Sequence, residues 1–395
     1  MLYHWFFEPS EVRIKLNKKY RMFLVNELKE FGGPCILSQK IEYSPATICN
    51  FLKGLGLSVG LLKKILNILH IPYDKAEPFV TEISWIKNPK LPFNLNTKEA
   101  AILSAAILGD GSNTTRVMYK NTNPELIKRV ETSAKKLFGR IKVDHRISEN
   151  NIKYILFPRI VGRVLIYMGV PYGNKMNQNQ EVPKFIRNGD KRIQKSFLQQ
   201  FFDDEGGVEV DYKAISLSQS TNCTECISTD FYNNMILKRT YYIRDLPKIF
   251  INRMKPPKIL IGIKFLLKEI FNIFSTLRFK RIVKYKDHAT AFWELKIQRK
   301  DDIKRFFNEI NFSSKKKREN LDFMINRNYK MPWNIYNMII NESIEVAKNQ
   351  GFIKPSIIAK NLGLPYRPIN KRIKTLEKRG IFSKKNKKYI LNIRM

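Results

Sequence analysis

Two short stretches of the chain carry the residue types best suited to chemistry. Leu103-Ser104-Ala105-Ala106-Ile107-Leu108-Gly109-Asp110-Gly111 and Leu198-Gln199-Gln200-Phe201-Phe202-Asp203-Asp204-Glu205-Gly206 are both apolar helical runs ending in an acid followed by glycine. A glycine at that place permits a left-handed turn, which predicts that Asp110 and Glu205 are each held at the C-terminal end of a buried helix. Small Ser104, Ala105 and Gly109 leave room for a second helix to approach closely. Packed side by side, the two helices bring Asp110 and Glu205 to one end, near a common axis. Hard carboxylate oxygens in that position, with backbone carbonyls, are ligands for Mg²⁺ between protein and phosphate. Asp203 is a further acid, expected in a cap or a surface ion pair.

Each motif opens one copy of a repeat that spans residues 96 to about 321. The first copy reads as a helix over Thr97 to Gly109, a strand over Arg116 to Asn121, a helix over Pro124 to Phe138, strands over Ile141 to Ile147 and Ile152 to Phe157, and a helix over Arg159 to Met168. The second has helices over Arg192 to Asp204, Leu260 to Leu277 and Lys300 to Ile310, with strands over Ala214 to Gln219, Arg281 to Lys286 and Phe292 to Ile297. Such repeats build two halves about a pseudo-twofold axis, here 96–190 and 191–325. The second half carries an insertion, about 221–258, rich in Tyr, Lys and Arg. It contains Cys223 and Cys226; the other cysteines, Cys35 and Cys49, lie far off in the N-terminal region, so four zinc ligands are not expected there.

Flanking modules extend the repeat. Residues 1–73 read as four short helices, with Ser44 as an N-cap and Pro45 at the first helical position. Leu37 to Gly54 resembles the helix-turn-helix of phage-repressor-type regulators, with Pro45, Ala46, Thr47 and Asn50 nearest the bases; a helical bundle with no DNA role is the other reading. Residues 74–95, with Pro78, Pro89 and Pro92, read as a linker, so that a cut after residue 73 is expected to leave a folded core. Residues 326–395 resemble a winged helix. Arg367, Asn370, Lys371 and Arg372 lie on its recognition helix, and Lys384, Lys385, Lys387 and Lys388 in the wing face phosphates; the alternative is a winged helix used for protein contacts.

Composition agrees with a polyanionic partner. Among 395 residues, 72 are Lys or Arg against 35 acids, a formal charge of +37 spread along the whole chain, which attracts nucleic acid. An AT-rich coding sequence would also enrich lysine. No apolar run is long enough to span a bilayer, and Met1 to Pro9 lacks a signal-peptide core, so a cytoplasmic protein with no membrane partner is expected.

The two motifs, the repeat around them and their flanks resemble the LAGLIDADG endonucleases of the dodecapeptide type. The flanks are Asn121-Thr122-Asn123-Pro124-Glu125-Leu126, Gly169 to Lys175, Val182 to Ile186, and Phe312 to Leu321. The resemblance implies an α+β fold, two αββαββα halves whose four-stranded sheets form a saddle on double-stranded DNA. It implies that Asp110 and Glu205 bind Mg²⁺, or Mn²⁺ in its place, and serve opposite strands. It places one lysine per half near the scissile phosphate, at Lys175 and at Lys317 among the neighbours Lys315 and Lys316. Gln200 stands where the family usually has Gly, and Asp204 where it has a small residue; both are expected to widen the helix crossing. Glu205 keeps the carboxylate of the more usual Asp. The implied activity is a site-specific double-strand cut by a monomer that needs no protein partner. The alternative is a transcription regulator on a catalytically degenerate core of the same kind. The ends, Met1-Leu2 and Ile393-Arg394-Met395, lack the splicing residues of an intein.

Overall fold

Side-chain caps mark where the first helices begin. The computed structural model describes residues 1–3, 6, 12–173, 175, 178–326, 334–364, 366–385 and 388–392. Asn174, Pro365, Lys387 and Ile393-Arg394-Met395 lie outside the described residues, as do the side chains of Arg367, Lys385 and Lys388. After β1 (Arg13–Leu16) come α1 (Lys18–Lys29), α2 (Pro34–Ile41), α3 (Pro45–Leu52), β2 (Leu57–Ser58) and α4 (Val59–Ile68). Asn17, Ser44 and Ser58 cap α1, α3 and α4, each accepting from the backbone N–H three residues on. The buried stripe of α1 is Tyr20, Leu24, Val25 and Leu28; Met22 falls off that phase and is exposed, as is Ile36 on α2. Chain then runs through a 3-10 helix, Tyr73–Phe79, to β3 (Val80–Ile83) and β4 (Ile86–Lys87).

The first repeat copy starts with α5 (Lys98–Leu108), buried on every side from Ala100 to Leu108, as a helix enclosed by protein requires. It continues through β5 (Gly111–Asn113), β6 (Val117–Lys120), α6 (Pro124–Phe138), β7 (Arg140–Ile141), β8 (Asp144–Ile147), β9 (Lys153–Phe157) and α7 (Arg159–Tyr167). Four strands form an antiparallel sheet in the order β5-β6-β9-β8.

Residues 74–95 are not a linker. β3 pairs with β1 (Ile14↔Ile83, Lys15↔Glu82) and β4 with β7 (Ile86↔Ile141), giving a sheet in the order β2-β1-β3-β4-β7 that joins the N-terminal helices to the first repeat copy. Leu2 bridges to Phe93, and Ile14, Ile83, Ile86 and Phe93 are fully buried in one continuous core. The prolines that suggested a linker sit outside the paired strands. Removing residues 1–73 would strip β1 and β2 from this sheet and expose that core. The truncated protein is therefore expected to melt lower by about 10 °C or more, or to aggregate; a melt equal to the full chain's would show that the shared sheet contributes nothing.

The second copy has α8 (Lys184–Arg187), α9 (Lys191–Glu205), β10 (Gly206–Glu209) and β11 (Ala214–Asn222). The insertion supplies α10 (Thr229–Asn234), β12 (Thr240–Tyr242) and α11 (Lys248–Arg253). After these come α12 (Lys258–Glu269), β13 (Thr276–Lys284), β14 (Ala289–Ile297), α13 (Lys300–Glu309) and α14 (Lys315–Asn326). β12 pairs with β13 (Thr240↔Val283, Tyr242↔Arg281), so this sheet has five strands, β10-β11-β14-β13-β12, where four were expected. The helix read to Leu277 stops at Glu269; Asn272 turns the chain at a φ of 51°, and Leu277 already lies in β13.

The C-terminal region is α15 (Ile335–Gln350), α16 (Pro355–Asn361), α17 (Tyr366–Lys378) and a hairpin of β15 (Phe382–Lys385) and β16 (Lys388–Leu391). Its core is separate, built around Ile339, Ile358, Ile369, Ile373 and Phe382. The whole is a mixed α+β fold with antiparallel sheets. Among the described residues no helix is long and apolar enough to cross a membrane.

Candidate active site at the paired helix ends

α5 and α9 pack side by side and finish together. The glycines at their ends act differently from expectation. Neither Gly111, after Asp110, nor Gly206, after Glu205, has a positive φ, so neither turn is left-handed. Close approach is what excludes a side chain: a Cβ on Gly111 would stand 2.7 Å from Ile107 Cα, and one on Gly206 2.7 Å from the Phe202 carbonyl oxygen, while Gly109 lets the second helix close in as its small size suggests, a Cβ there standing 2.9 Å from that of Asp204. Nor do Gln200 and Asp204 pry the helices apart. They join a polar network inside the crossing, in which Tyr119 donates to Asp204 Oδ1 at 2.7 Å and the Gln200 amide donates to both Asp204 oxygens at 3.2 and 3.1 Å. The Asn121 amide nitrogen donates both to Asp204, at 3.2 Å, and to Asp110 Oδ2, at 2.8 Å. One side chain thus ties the buried carboxylate to the outer one.

Asp110 keeps an exposed face and Glu205 is half-buried. Among the described residues neither forms an ion pair, although the chain holds 72 Lys and Arg. Burial lifts both carboxyls above their ordinary range, and Asp110 raises Glu205 and Asp204 further by repulsion, while Lys175 and Lys317 pull Asp110 and Glu205 back. Asp204 is driven furthest, well above the usual value, by desolvation.

Lys175 and Lys317 occupy matching places. Lys175 donates to the carbonyls of Ile107 and Leu108, both at 3.2 Å, and of Gly109; Lys317 donates to those of Phe202 at 3.2 Å and Gly206 at 2.6 Å, and of Asp203. Each ammonium satisfies the end of one motif helix, where orphan carbonyls carry partial negative charge. Burial holds both lysines below their ordinary pKa. Lys315 and Lys316 are exposed, and Lys315 reaches only Glu319, at 4.0 Å.

Three partners were missed in the sequence. Asp203 is buried and caps neither its own helix nor the surface: it accepts from the amides of Ser313 (2.8 Å) and Ser314 (3.1 Å) at the start of α14, and pairs with Arg129 of α6 at 3.4 Å. It therefore anchors the helix that carries Lys317. Asn121 on Asp110 has a counterpart in Gln219 of β11, which lines one cavity with Glu205 and pulls its carboxyl down. A polar amide beyond or within the second strand of each copy was the available signal.

The two acids line different cavities. A groove of about 1030 Å³ is lined by Asp110, Asn121, Asp204, Ser314 and Lys317, and a cavity of about 180 Å³ by Glu205, Gln219 and Lys175. Among the described residues no group of three or more His, Cys, Asp or Glu is arranged to hold a metal. Cys223 is buried with its thiol pushed up to about 12, and Cys226 reaches the Arg253 carbonyl at 3.7 Å.

Outward faces of both sheets are polar and basic. In the first, Lys120, Tyr154 and Arg146 form one rung. In the second, Arg278 and Lys280 flank the buried Glu294 at 2.8 and 2.6 Å, with Arg281 beyond. On α3, Pro45, Ala46 and Asn50 are exposed, while Thr47 is half-buried and shares its hydroxyl with Ser44 at 2.8 Å. On α17, Lys371 is exposed and Asn370 half-buried; Arg372 folds back, donating to the Pro368 carbonyl at 3.3 Å and lying over the Tyr336 ring. Lys384 is exposed, beside the Tyr389 ring.

No family model matches the chain, and no curated protein matches it. Solved structures with a likeness include a mesophilic variant of the homing endonuclease I-DmoI, at 12% identity and a TM-score of 0.33, covering 54% of this chain and 95% of that one. I-DmoI in complex with DNA and Mn is similar at 14% identity and 0.33, covering 55% and 97%. Full-length DUF199/WhiA from Thermatoga maritima is similar at 13% identity and 0.33, covering 73% and 93%. Likeness at this level fixes neither family nor activity.

Proposed function

We propose that the chain is a metal-dependent, site-specific DNA endonuclease of the LAGLIDADG type, acting as a monomer with two pseudo-symmetric halves that saddle double-stranded DNA. One observation carries the reading: two carboxylates that form no ion pair among the described residues stand at the joined ends of two helices, each beside a half-buried lysine turned onto the helix carbonyls. That donor set suits a hard divalent cation, Mg²⁺ or Mn²⁺, whose remaining ligands come from water and phosphate. Asp110 and Glu205 would hold it, and bound there it polarises a phosphoryl oxygen and lowers the pKa of water. Asn121 and Gln219 orient the two carboxylates. Lys175 and Lys317 place positive charge where the phosphate gains negative charge in the transition state. The basic outward faces of the sheets receive the duplex, with residues 1–73 as a helix-turn-helix module and 326–395 as a winged helix on its flanks.

The test is a supercoiled plasmid pool carrying a randomised segment, incubated with Mg²⁺ and sequenced at the cut ends. A single enriched target and linear product are expected. Tight, sequence-specific binding with no cut under Mg²⁺ or Mn²⁺ would transfer the protein to transcription regulators. Lys175→Ala is expected to slow single-turnover cleavage roughly 100-fold with little change in DNA affinity, because one phosphate contact among many adds little binding. Parallel losses in both would make Lys175 an ordinary phosphate contact.

A further inference from the structure

The turn between β3 and β4 is two residues long, Ser84-Trp85, and both take positive φ, 39° and 73°. Hairpins fill that turn with Asn-Gly or similar pairs, because a Cβ there meets the neighbouring carbonyl. Tryptophan is a costly choice for it. The indole gains no core burial in return: Trp85 is 66% exposed. The hairpin is instead held so that the ring stands out, Ser84 donating its N–H to Arg13 and β4 pairing with β7. Beside the ring lies a cavity of about 540 Å³, walled by Trp85, Lys142, Arg116, Asp144, Arg159 and Arg163. Lys142 Nζ is 5.8 Å from the indole ring, and Arg116 pairs with Asp144 at 2.7 Å. The cavity adjoins the outward face of the first sheet, since Asp144 is two residues from Arg146 on β8 and shares its face.

We infer that Trp85 and this cavity form a nucleotide site, the base stacked on the indole and the phosphate met by Lys142 and Arg116. An exposed ring in a strained position marks a site where function opposes stability, and a flat aromatic beside cations in a nucleotide-sized cavity suits a base and its phosphate. The nucleotide is either part of a DNA flank running off the first sheet or a free one. Only the first source rests on the proposed DNA-binding reading.

The experiment uses the full chain with Trp85→Gly and Trp85→Phe. DNA affinity is read by anisotropy on a labelled duplex with a single-stranded overhang, nucleoside monophosphate binding by calorimetry in every protein and by quenching of the parent's tryptophan emission, and stability by thermal melting. Trp85→Gly is expected to melt higher than the parent yet bind overhang DNA about 10-fold more weakly, with Trp85→Phe retaining most of the affinity. Quenching by overhang DNA alone identifies a DNA flank as the source; equal quenching by the monophosphate identifies a free nucleotide. Trp85→Gly protein that binds both ligands as the parent does would overturn the site while leaving DNA binding by the sheets intact. A parent that binds no DNA but is quenched by the monophosphate would overturn the DNA reading and keep the site. No quenching by either ligand overturns it.

Discussion

Asp110→Asn and Glu205→Gln proteins should bind the selected target as tightly as the parent and cut it roughly 1000-fold more slowly. Each amide keeps the shape of the acid it replaces, and the one at 110 can still accept from Asn121 by presenting its carbonyl oxygen. What it loses is the charge that attracts a divalent cation. Affinity is expected to hold or rise, because an anion leaves a surface that faces phosphates. Stability should rise too: Asp110, Asp203, Asp204 and Glu205 are crowded together, and burial lifts the carboxyls of all four. Removing one relieves repulsion. The signature is therefore a protein that melts higher, binds fully and does not cut. The assay is supercoiled plasmid with Mg²⁺, resolved into nicked and linear product, beside a thermal melt. Linear product at the parent's rate from either variant would remove that residue from the mechanism. A nick confined to one strand would assign each acid its own phosphodiester.

The second large effect is on stability against pH. Folding raises the carboxyl of Asp204 well above its ordinary value of 3.8, and those of Asp110 and Glu205 above 3.8 and 4.5, in each case by burial first. A carboxyl raised in the folded state binds more protons folded than unfolded. Its contribution is favourable below the unfolded value and is lost as pH rises through the folded one. The melting temperature is thus expected to fall from the ordinary carboxylate range toward neutrality and beyond, unless a divalent cation is added. Asp204→Asn should melt higher than the parent near neutral pH, by on the order of a few °C, and flatten that fall. Mg²⁺ should stabilise the parent more as the pH rises. A melting curve for the variant that tracks the parent's at every pH would show that Asp204 is already neutral or compensated throughout the range.

Much of the fold could be read from spacing alone. α5, α6 and α9 are long, periodic and begin at side-chain caps, on Thr97, Asn123 and Asp190, and such helices announce themselves locally. β3 and β4 did not. They are four and two residues long, and the partners that make them strands are β1 and β7, more than fifty residues away for each; a local reading sees only their prolines. The same limit applies within the site. Asp110 and Glu205 stand out because two copies of one pattern repeat, but the role of Asp203 depends on Ser313 and Ser314, 110 and 111 residues on. Among Lys315, Lys316 and Lys317 the choice rests on which one the start of α14 turns inward, which residue type cannot reveal. Gly111 reads as a left-handed turn in the sequence, but the backbone of Ile107, four residues back, is what forbids a side chain there. Position in the sequence puts Arg372 on the proposed recognition helix but cannot show that it lies over the ring of Tyr336.

The sheet shared by β1, β2, β3, β4 and β7 also sets a ruler. Because α3 belongs to the same core as α5, the proposed recognition helix cannot swing independently of the acids. If the proposed function holds, its distance and angle from the cut are built into the protein, and DNA must match them in helical phase. One extra base pair between the α3 contact and the cleavage site moves that contact about 3.4 Å along the axis and turns it about 35° around it. Targets with one or two inserted pairs should therefore lose the N-terminal contact, while a full turn of added DNA restores the angle but not the reach. The C-terminal module, with a separate core around Ile339 and Phe382, is not bound by that sheet, so spacing on its side of the target is the one that evolution can vary at less cost.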